Sequence, residues 1–521
     1  ELAAAARVNS PSRRGRLMSQ PHIITFTAYA DHASQREVVQ RVLDELLPHG
    51  CWRIGEPAGD EAAAHETDFV VLHVDAEHAS TARLALLREP LVRDVSPQRS
   101  YQRPAATGEP ARRPLSSASE PGSSLPHDFV TTALNASDWW RRGVKGTGMR
   151  IAIFDTGLPP VHDWVRNVAE AVNFCKEKTT EDRVGHSSFM AGVIASREDC
   201  RGFAPDAQLY FVRVFDSTQA STTAWFLAGF NYALRQKVDI ISLSVGGPDF
   251  RDAPFVAKVR ELSAAGITII SGGGNSGPGW GTLLNPADDA AVVGVGGLNE
   301  SGHLARWSSR GMTLWEIPHG YGRGGIDLVT HGEFWGKAPR GGCQHQWGTS
   351  VACPVVVGVL TLLLSEFAPS RRRQLLNPAA LKQVLVEGAE RMSGHSYMEQ
   401  GMGLLRPHAT ARLMRDFAPH VSALPPTVDL TSGCSFHWPM CAQPLFSGAQ
   451  PLVLNLTLLN SRAVASHFAR PPRWLPRDSE AGAARMVEVS FSYPEQVFPW
   501  SGWLGVRIAA TQAAEAWAGD V

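Results

Sequence analysis

The stretch M-R-I-A-I-F-D-T-G, residues 149–157, decides the fold. Met149–Phe154 is a short, mostly apolar run closed by Asp155 and Gly157, the form of a strand buried on both faces. Burial on both faces belongs to a parallel sheet. Further along, Gln208–Val214, Asp239–Ser244, Thr268–Ser271, Ala291–Val295 and Ile326–Val329 read as similar strands. Thr223–Arg235 and Ala253–Ala265 read as helices between them, another follows Ser350, and one more spans Pro378–Glu390. This alternation predicts an α/β domain with a doubly wound parallel sheet over residues 128–418.

Away from that domain the pattern changes. Residues 1–20 are polar and Arg-rich and read as disordered. Residues 21–101 form a small α+β unit, with strands at Ile23–Ala28 and Asp68–Val74 and helices at Ala33–Leu47 and Ala79–Leu87. Residues 102–127 are a linker rich in Pro, Ser, Gly and Arg. Residues 419–521 read as all-β, with strands at Val453–Leu458, Met486–Tyr493 and Leu504–Ala509.

Composition narrows the function. The chain has 521 residues, 44% apolar and 19% charged, so a large core is available. With 49 basic against 50 acidic residues, bulk charge gives no case for a nucleic-acid partner. The longest apolar stretch, Val351–Leu364, is interrupted by Pro354 and Gly358 and falls short of the ~20 residues a membrane span needs. Residues 1–10 show no hydrophobic leader core. Seven Cys, without a C-x-x-C pair, an H-E-x-x-H string or a P-loop, disfavour the common zinc and nucleotide chemistries, and no metal site is predicted. Cys434 and Cys441 are placed to pair in an oxidising compartment. N-x-[ST] triplets at Asn135, Asn299 and Asn455 are candidate glycosylation sites.

Four strings carry chemistry. Asp155 ends a strand on the side where α/β sheets build sites, and it also suits the cap of the next turn. An aspartic protease would need a second D-[ST]-G, which the sequence lacks. In V-G-H-S-S-F-M-A-G-V-I-A-S (184–196), His186 opens an apolar helix; taken alone, it reads as a buried structural histidine. S-G-G-G-N-S-G-P (271–278) is a Gly-rich turn holding Asn275, and Pro278 blocks the helix that a phosphate loop requires. In Q-W-G-T-S-V-A-C-P-V-V-V-G (346–358), Ser350 suits either a helix cap or a nucleophile at the positive end of a helix.

The order Asp155, His186, Asn275, Ser350 carries more than any member. F-D-T-G, G-H-S-S-F-M-A-G, G-G-G-N and G-T-S-V-A-C-P resemble the Asp, His, oxyanion and Ser boxes of subtilisin-like serine proteases. R-G-F-A-P-D-A (201–207), I-S-L-S-V-G-G-P-D-F (241–250), G-T-L-L-N-P-A-D (281–288), R-W-S-S-R-G-M-T-L-W-E (306–316) and G-Y-G-R (320–323) resemble the site-1 protease branch of the proprotein convertases. W-P-M-C-A-Q-P (438–444) and W-S-G-W-L (500–504) extend the likeness into the β region, and residues 21–101 resemble its pro-segment.

The resemblance implies a serine endoprotease of the secretory pathway, in the lumen of the Golgi or endoplasmic reticulum, made as a self-processed zymogen. Ser350 would be the nucleophile, His186 its base, Asp155 the orienting acid and Asn275 an oxyanion donor. Leu243, Ser244, Val245 and Gly246 would be an open strand edge that binds the substrate backbone. Substrates would be membrane-bound or lumenal precursors cut after Arg-x-x-Leu-like sites. Arg112 and Leu115 in the linker offer such a site, while Asp216 and Asp249 are candidates for gripping the substrate Arg. The partners implied are protein substrates and the chain's own pro-segment as inhibitor. A membrane anchor is expected outside the chain. No cofactor is assignable from the residues; the family allows calcium. The alternatives are a pseudoprotease that keeps the fold as a binding module, and a broad-specificity degradative subtilase.

Three departures from the family pattern stand out. Ser187 and Ser188 replace the usual Gly-Thr after His186, and a side chain at 187 is expected to crowd the cleft. Three Gly precede Asn275, which raises the entropy cost of holding its amide. Trp347 stands where a small residue is usual.

Overall fold

A computed structural model describes residues 20–103, 127–197, 199–244, 246–247, 250–314, 322–433, 439–475 and 487–511. In the first unit β1 (His22–Ala30), β2 (Trp52–Ile54), β3 (Thr67–Val74) and β4 (Val92–Pro97) form an antiparallel sheet in the order β2-β3-β1-β4. Helices His32–Asp44 and Ala79–Leu86 cover one face, where Val39, Leu43 and Leu86 are fully buried against Ile24, Leu72 and Val74. A short strand, β5 (Ser100–Gln102), leaves this unit and pairs elsewhere.

Seven strands build the central sheet: β6 (Arg150–Asp155), β7 (Asn167–Asn173), β8 (Gln208–Arg213), β10 (Ile240–Leu243), β11 (Thr268–Gly272), β12 (Val293–Leu298) and β13 (Leu328–His331). Between β8 and β10 in sequence comes β9 (Ala220–Thr222), the partner of β5. The sheet order is β13-β12-β11-β10-β6-β8-β7, and every pairing is parallel. The order reverses at β6, whose neighbours are β10 and β8. A crevice therefore opens at its carboxyl end, beside Asp155.

Both faces are covered. On one lie helices His186–Ala195 and Thr349–Leu364, around Phe189, Ile194, Val355 and Leu360. On the other lie Thr223–Gln236 and Ala253–Ala264, around Phe226, Phe230 and Phe255. The sheet of the first unit rests on this second pair, adding Ile23 and Phe69 to the same core. A buried ion pair crosses that junction: Lys258 Nζ lies 2.7 Å from Asp68 Oδ2, while Asn231 Nδ2 donates to Asp68 Oδ1 at 3.1 Å.

After β13 comes a hairpin, β14 (Glu333–Lys337) and β15 (Cys343–Trp347), which leads into the Ser350 helix. A disulfide joins Cys343 to Cys200, a pairing that no sequence pattern signals. Cys441 is also in a disulfide, while its expected partner Cys434 lies outside the described residues. Beyond residue 416 the described chain is strands and loops. Val421–Leu424, Leu452–Asn460, Trp500–Ala510 and Val487–Ser492 form an antiparallel sheet in that spatial order. Among the described residues no helix is long and apolar enough to cross a membrane.

Candidate active site

Asp155 emerges buried from the carboxyl end of β6. Its two oxygens lie 2.8 and 2.7 Å from His186 Nδ1, and Thr156 N–H donates to Oδ1 at 2.8 Å. Burial works to raise this carboxyl. The His186 contact, the Arg103 guanidinium and the Thr156 N–H outweigh it and hold the carboxyl below its usual range. His186 is depressed from 6.5 by burial first and then by Arg103, against the pull of Asp155. An ionised Asp155 beside a neutral His186 fixes the proton on Nδ1 and leaves Nε2 as the basic nitrogen.

The turn that delivers His186 is held by Asp182, which sequence reasoning overlooked. Asp182 is 2% exposed and accepts from Val184 N–H (3.1 Å), Gly185 N–H (2.7 Å) and Thr156 Oγ1 (2.7 Å) through Oδ1. Through Oδ2 it accepts from Ser188 N–H (2.8 Å) and Ser188 Oγ (2.7 Å), satisfying the start of the helix. Ser187 does not crowd a cleft: it is 1% exposed, its N–H donates to Thr156 Oγ1, and its own hydroxyl is buried without a partner among the described residues.

Ser350 sits in the first turn of Thr349–Leu364, a helix in which every other residue is buried. Its backbone N–H lies too near the helix start to find a carbonyl within it. Gly348 precedes the helix with φ +135°, and a Cβ there would stand 3.1 Å from Ser350 Oγ and 3.0 Å from Asn275 Nδ2. The space in front of Gly348 is therefore within reach of both a nucleophile and an amide donor, as an acyl-transfer centre requires. Asn275 is held by its other atom, with Oδ1 accepting from Thr349 N–H at 2.8 Å and Thr349 Oγ1 at 3.0 Å.

The three glycines before Asn275 have a packing reason as well. A side chain at Gly272 would strike the Thr349 backbone at 2.8 Å, and Gly274 needs φ +112°. The Trp347 ring lies 5.5 Å from that of Trp307, tilted by 44°. Between His186 and Ser350 no hydrogen bond is closed among the described residues, a common state of substrate-free sites.

Leu243 pairs with Ser271 of β11, whereas the pairing of β10 with β6 stops at Ser242. Leu243 and Ser244 are buried, Gly246 is half-buried, Gly247 is bridged to Asn285, and Val245 lies outside the described residues. A side chain at Gly246 would meet Asn285 O at 2.6 Å. A further edge, β9, pairs with the extended strand β5, and the sequence pattern A-S-T conceals it. Asp216 Oδ1 accepts from Thr218 N–H, Thr218 Oγ1 and Ala220 N–H, shaping the turn before β9. Asp249, Arg112 and Leu115 lie outside the described residues. Asn135 and Asn299 stand in turns, whereas Asn455 stands mid-strand opposite Gly505.

Calcium favours six to eight oxygen donors. Among the described residues, metal-ligating side chains converge at Asp75/Glu77/His78, at Glu300/Glu333/His345, and at His127 with the disulfide pair Cys200–Cys343. Each includes a histidine, and none is an all-oxygen shell, so these groups do not fit calcium.

Residues 146–403 match the model of the subtilase family, which covers the whole constellation. The major intracellular serine protease of Bacillus subtilis is 30% identical over 51% of this chain and 85% of its own length. The chain belongs to the subtilase family. The flanking regions narrow the kinship. Residues 17–99 match the N-terminal domain of the membrane-bound site-1 protease family, and residues 424–521 match the third Ig-like domain described for MBTPS1. The human membrane-bound transcription factor site-1 protease is 39% identical over 96% of this subtilase chain, and the subtilisin-like protease SBT6.1 of Arabidopsis thaliana is 38% identical over 96%. The chain spans about half the length of these two relatives.

Proposed function

We propose that this chain is the catalytic part of a secretory-pathway serine endopeptidase that cuts membrane-bound or lumenal precursors after Arg-x-x-Leu-like sites. The observation that carries the reading is the space before Gly348, faced at about 3 Å by Ser350 Oγ and Asn275 Nδ2, next to the His186–Asp155 pair. Ser350 Oγ attacks the scissile carbonyl as His186 Nε2 takes its proton, and His186 then returns that proton to the leaving amine. Asp155 stabilises the imidazolium without itself being protonated. Asn275 Nδ2 and the Ser350 N–H receive the oxyanion; losing one such donor typically costs ~3 kcal/mol of transition-state stabilisation.

The pro-segment acts as an inhibitor by lying in the substrate's place. Its tail is already a strand on β9, and Arg103 lies near enough to His186 and Asp155 to bias both titrations. The Cys200–Cys343 disulfide favours an oxidising compartment, and a membrane anchor outside this chain would fit the names of its relatives. Self-processing in the linker after Leu115 remains part of the proposal, as does calcium, for which no residue set is assigned. A fluorophosphonate probe tests the core claim. It should label the wild-type chain and fail on Ser350→Ala, whose fold is unchanged; equal labelling of both overturns the nucleophile, and labelling of neither favours the binding-module alternative.

A further inference from the structure

Ligating side chains converge on the hairpin that leads to Ser350. In that hairpin Glu333 stands opposite Trp347, and Trp335 opposite His345. Side chains alternate along a strand, so Glu333, Trp335, His345 and Trp347 share one face. Glu300 comes to this face from the turn after β12. Its Oε1 lies 3.2 Å from His345 Nε2, and its N–H donates to Glu333 Oε2 at 3.2 Å. One ligating atom from each of Glu300, Glu333 and His345 falls within 4.8 Å of the other two.

The three side chains line a small cavity. Its volume is about 10 Å³, room for about one water-sized body. His127 lines the same cavity, its ring 5.0 Å from that of Trp335, which in turn lies 5.5 Å from the His345 ring. Burial disfavours charge on both Glu333 and His345, and the Glu300 carboxylate adds repulsion at Glu333. A dication relieves that repulsion and takes a neutral imidazole as ligand. Trp307 hydrogen-bonds the Glu333 carboxylate and orients it, as the outer partner of a metal ligand does.

We propose that Glu300, Glu333 and His345 bind one transition-metal dication of the zinc type, which clips the turn after β12 to the hairpin ahead of Ser350. Zinc holds nitrogen at ~2.0–2.1 Å and carboxylate oxygen at ~2.0–2.2 Å, so neighbouring ligands of its tetrahedron stand ~3.4 Å apart. The 3.2 Å between Glu300 Oε1 and His345 Nε2 matches that edge. The fourth position falls to His127 or to water. One imidazole with two carboxylates suits zinc and its neighbours in the first transition row, whereas calcium favours six to eight oxygens. Glu300 is exposed, which gives an ion a path from solvent. β15 ends at Trp347, directly before Gly348, so the clip steadies the strand that sets the nucleophile turn. The site does not depend on the proteolytic reading.

The test titrates zinc into the full chain carrying Ser350→Ala, which removes any self-digestion, after a chelator has stripped it of metal. Calorimetry should show a site that Glu300→Gln, Glu333→Gln and His345→Phe each weaken by about 100-fold or more, since losing an outer partner alone costs about 10–100-fold. Saturating zinc should raise the melting temperature of the parent and leave these variants unmoved. Glu300 is exposed and Phe keeps a ring beside Trp335, so both variants should melt with the metal-free parent. His78→Ala, in the separate group with Asp75 and Glu77, should bind zinc as the parent does. Cobalt should give the intense visible bands of a tetrahedral site, and excess calcium should leave them unchanged. Absence of zinc binding, or binding that Glu300→Gln and His345→Phe do not weaken, overturns the site. Displacement of cobalt by calcium overturns the choice of metal.

Discussion

Two helix starts carry His186 and Ser350, the proposed base and nucleophile, and they are built in opposite ways. The helix at His186 is closed: all ten of its residues are buried, and Asp182 accepts from the Gly185 N–H before it and from the Ser188 N–H and hydroxyl in its first turn. The helix at Ser350 is open: Asn275 Oδ1 holds only its first residue, Thr349, and a glycine with φ +135° leads into Ser350, the one residue of the helix that is not buried. The difference follows from what each must do. A base must keep its tautomer and direction, which fixed hydrogen bonds provide. A nucleophile and its oxyanion donors must meet a carbonyl, so the space before them has to stay empty.

The largest test of this contrast fills that space. Gly348→Ala should lower kcat/KM by about 10²–10³-fold, because its Cβ would lie 3.0 Å from Asn275 Nδ2 and 3.1 Å from Ser350 Oγ. The backbone strain adds about 1–3 kcal/mol of destabilisation. Steady-state kinetics alongside thermal melting separate the two. Activity near wild type would mean that the reacting carbonyl lies elsewhere.

The second test opens the closed helix. Asp182→Ala strands the Thr156 and Ser188 hydroxyls together with buried N–H groups, and should destabilise the fold by about 2–4 kcal/mol in denaturant titration. Unchanged stability would show that water replaces the carboxylate, and the contrast between the two helix starts would weaken.

Both starts were legible in the sequence, for a shared reason. His186 and Ser350 each stand just before a long apolar run, and Asp155 ends a buried strand, so periodicity alone marks their places. The supporting group was not legible. Asp182 lies in T-E-D-R-V, which reads as a solvated charge run. Its role appears only when the chain returns from distant positions. The edge strand β9 failed for a related cause: Ala220–Thr222 is three small or polar residues, defined by its partner β5 rather than by an apolar pattern. β7 (Asn167–Asn173) also went unread, because it is only partly buried at the margin of the sheet. β13 runs on to His331 instead of ending at Val329, with a polar residue buried where a strand end was expected.

The third test is electrostatic and concerns the closed side. Burial and Arg103 both hold His186 below 6.5, so Arg103→Gln should raise its pKa toward that value. Titration of the imidazole by NMR in a Ser350→Ala background measures this directly. The sign for stability follows from linkage. His186 is depressed on folding, so its contribution is complete above pH 6.5 and is lost as pH falls toward the folded value. Arg103→Gln should narrow that acid-side loss. A fall in the His186 pKa would place Arg103 away from the imidazole.

The smallest expected effect is at Ser187, where the family pattern has Gly. If that residue faced the cleft, Ser187→Gly would raise kcat/KM by relieving substrate contact. Its burial to 1% and its unpartnered hydroxyl argue otherwise. Glycine inside a helix costs roughly 0.5–1 kcal/mol relative to alanine. Removing a buried, unpaired hydroxyl returns about 1–3 kcal/mol of desolvation. The two nearly offset, so stability should stay level or rise by about 1 kcal/mol, with kcat/KM within about twofold of wild type. A severalfold gain in kcat/KM at unchanged stability would restore the steric reading and show that the closed helix start touches the substrate after all.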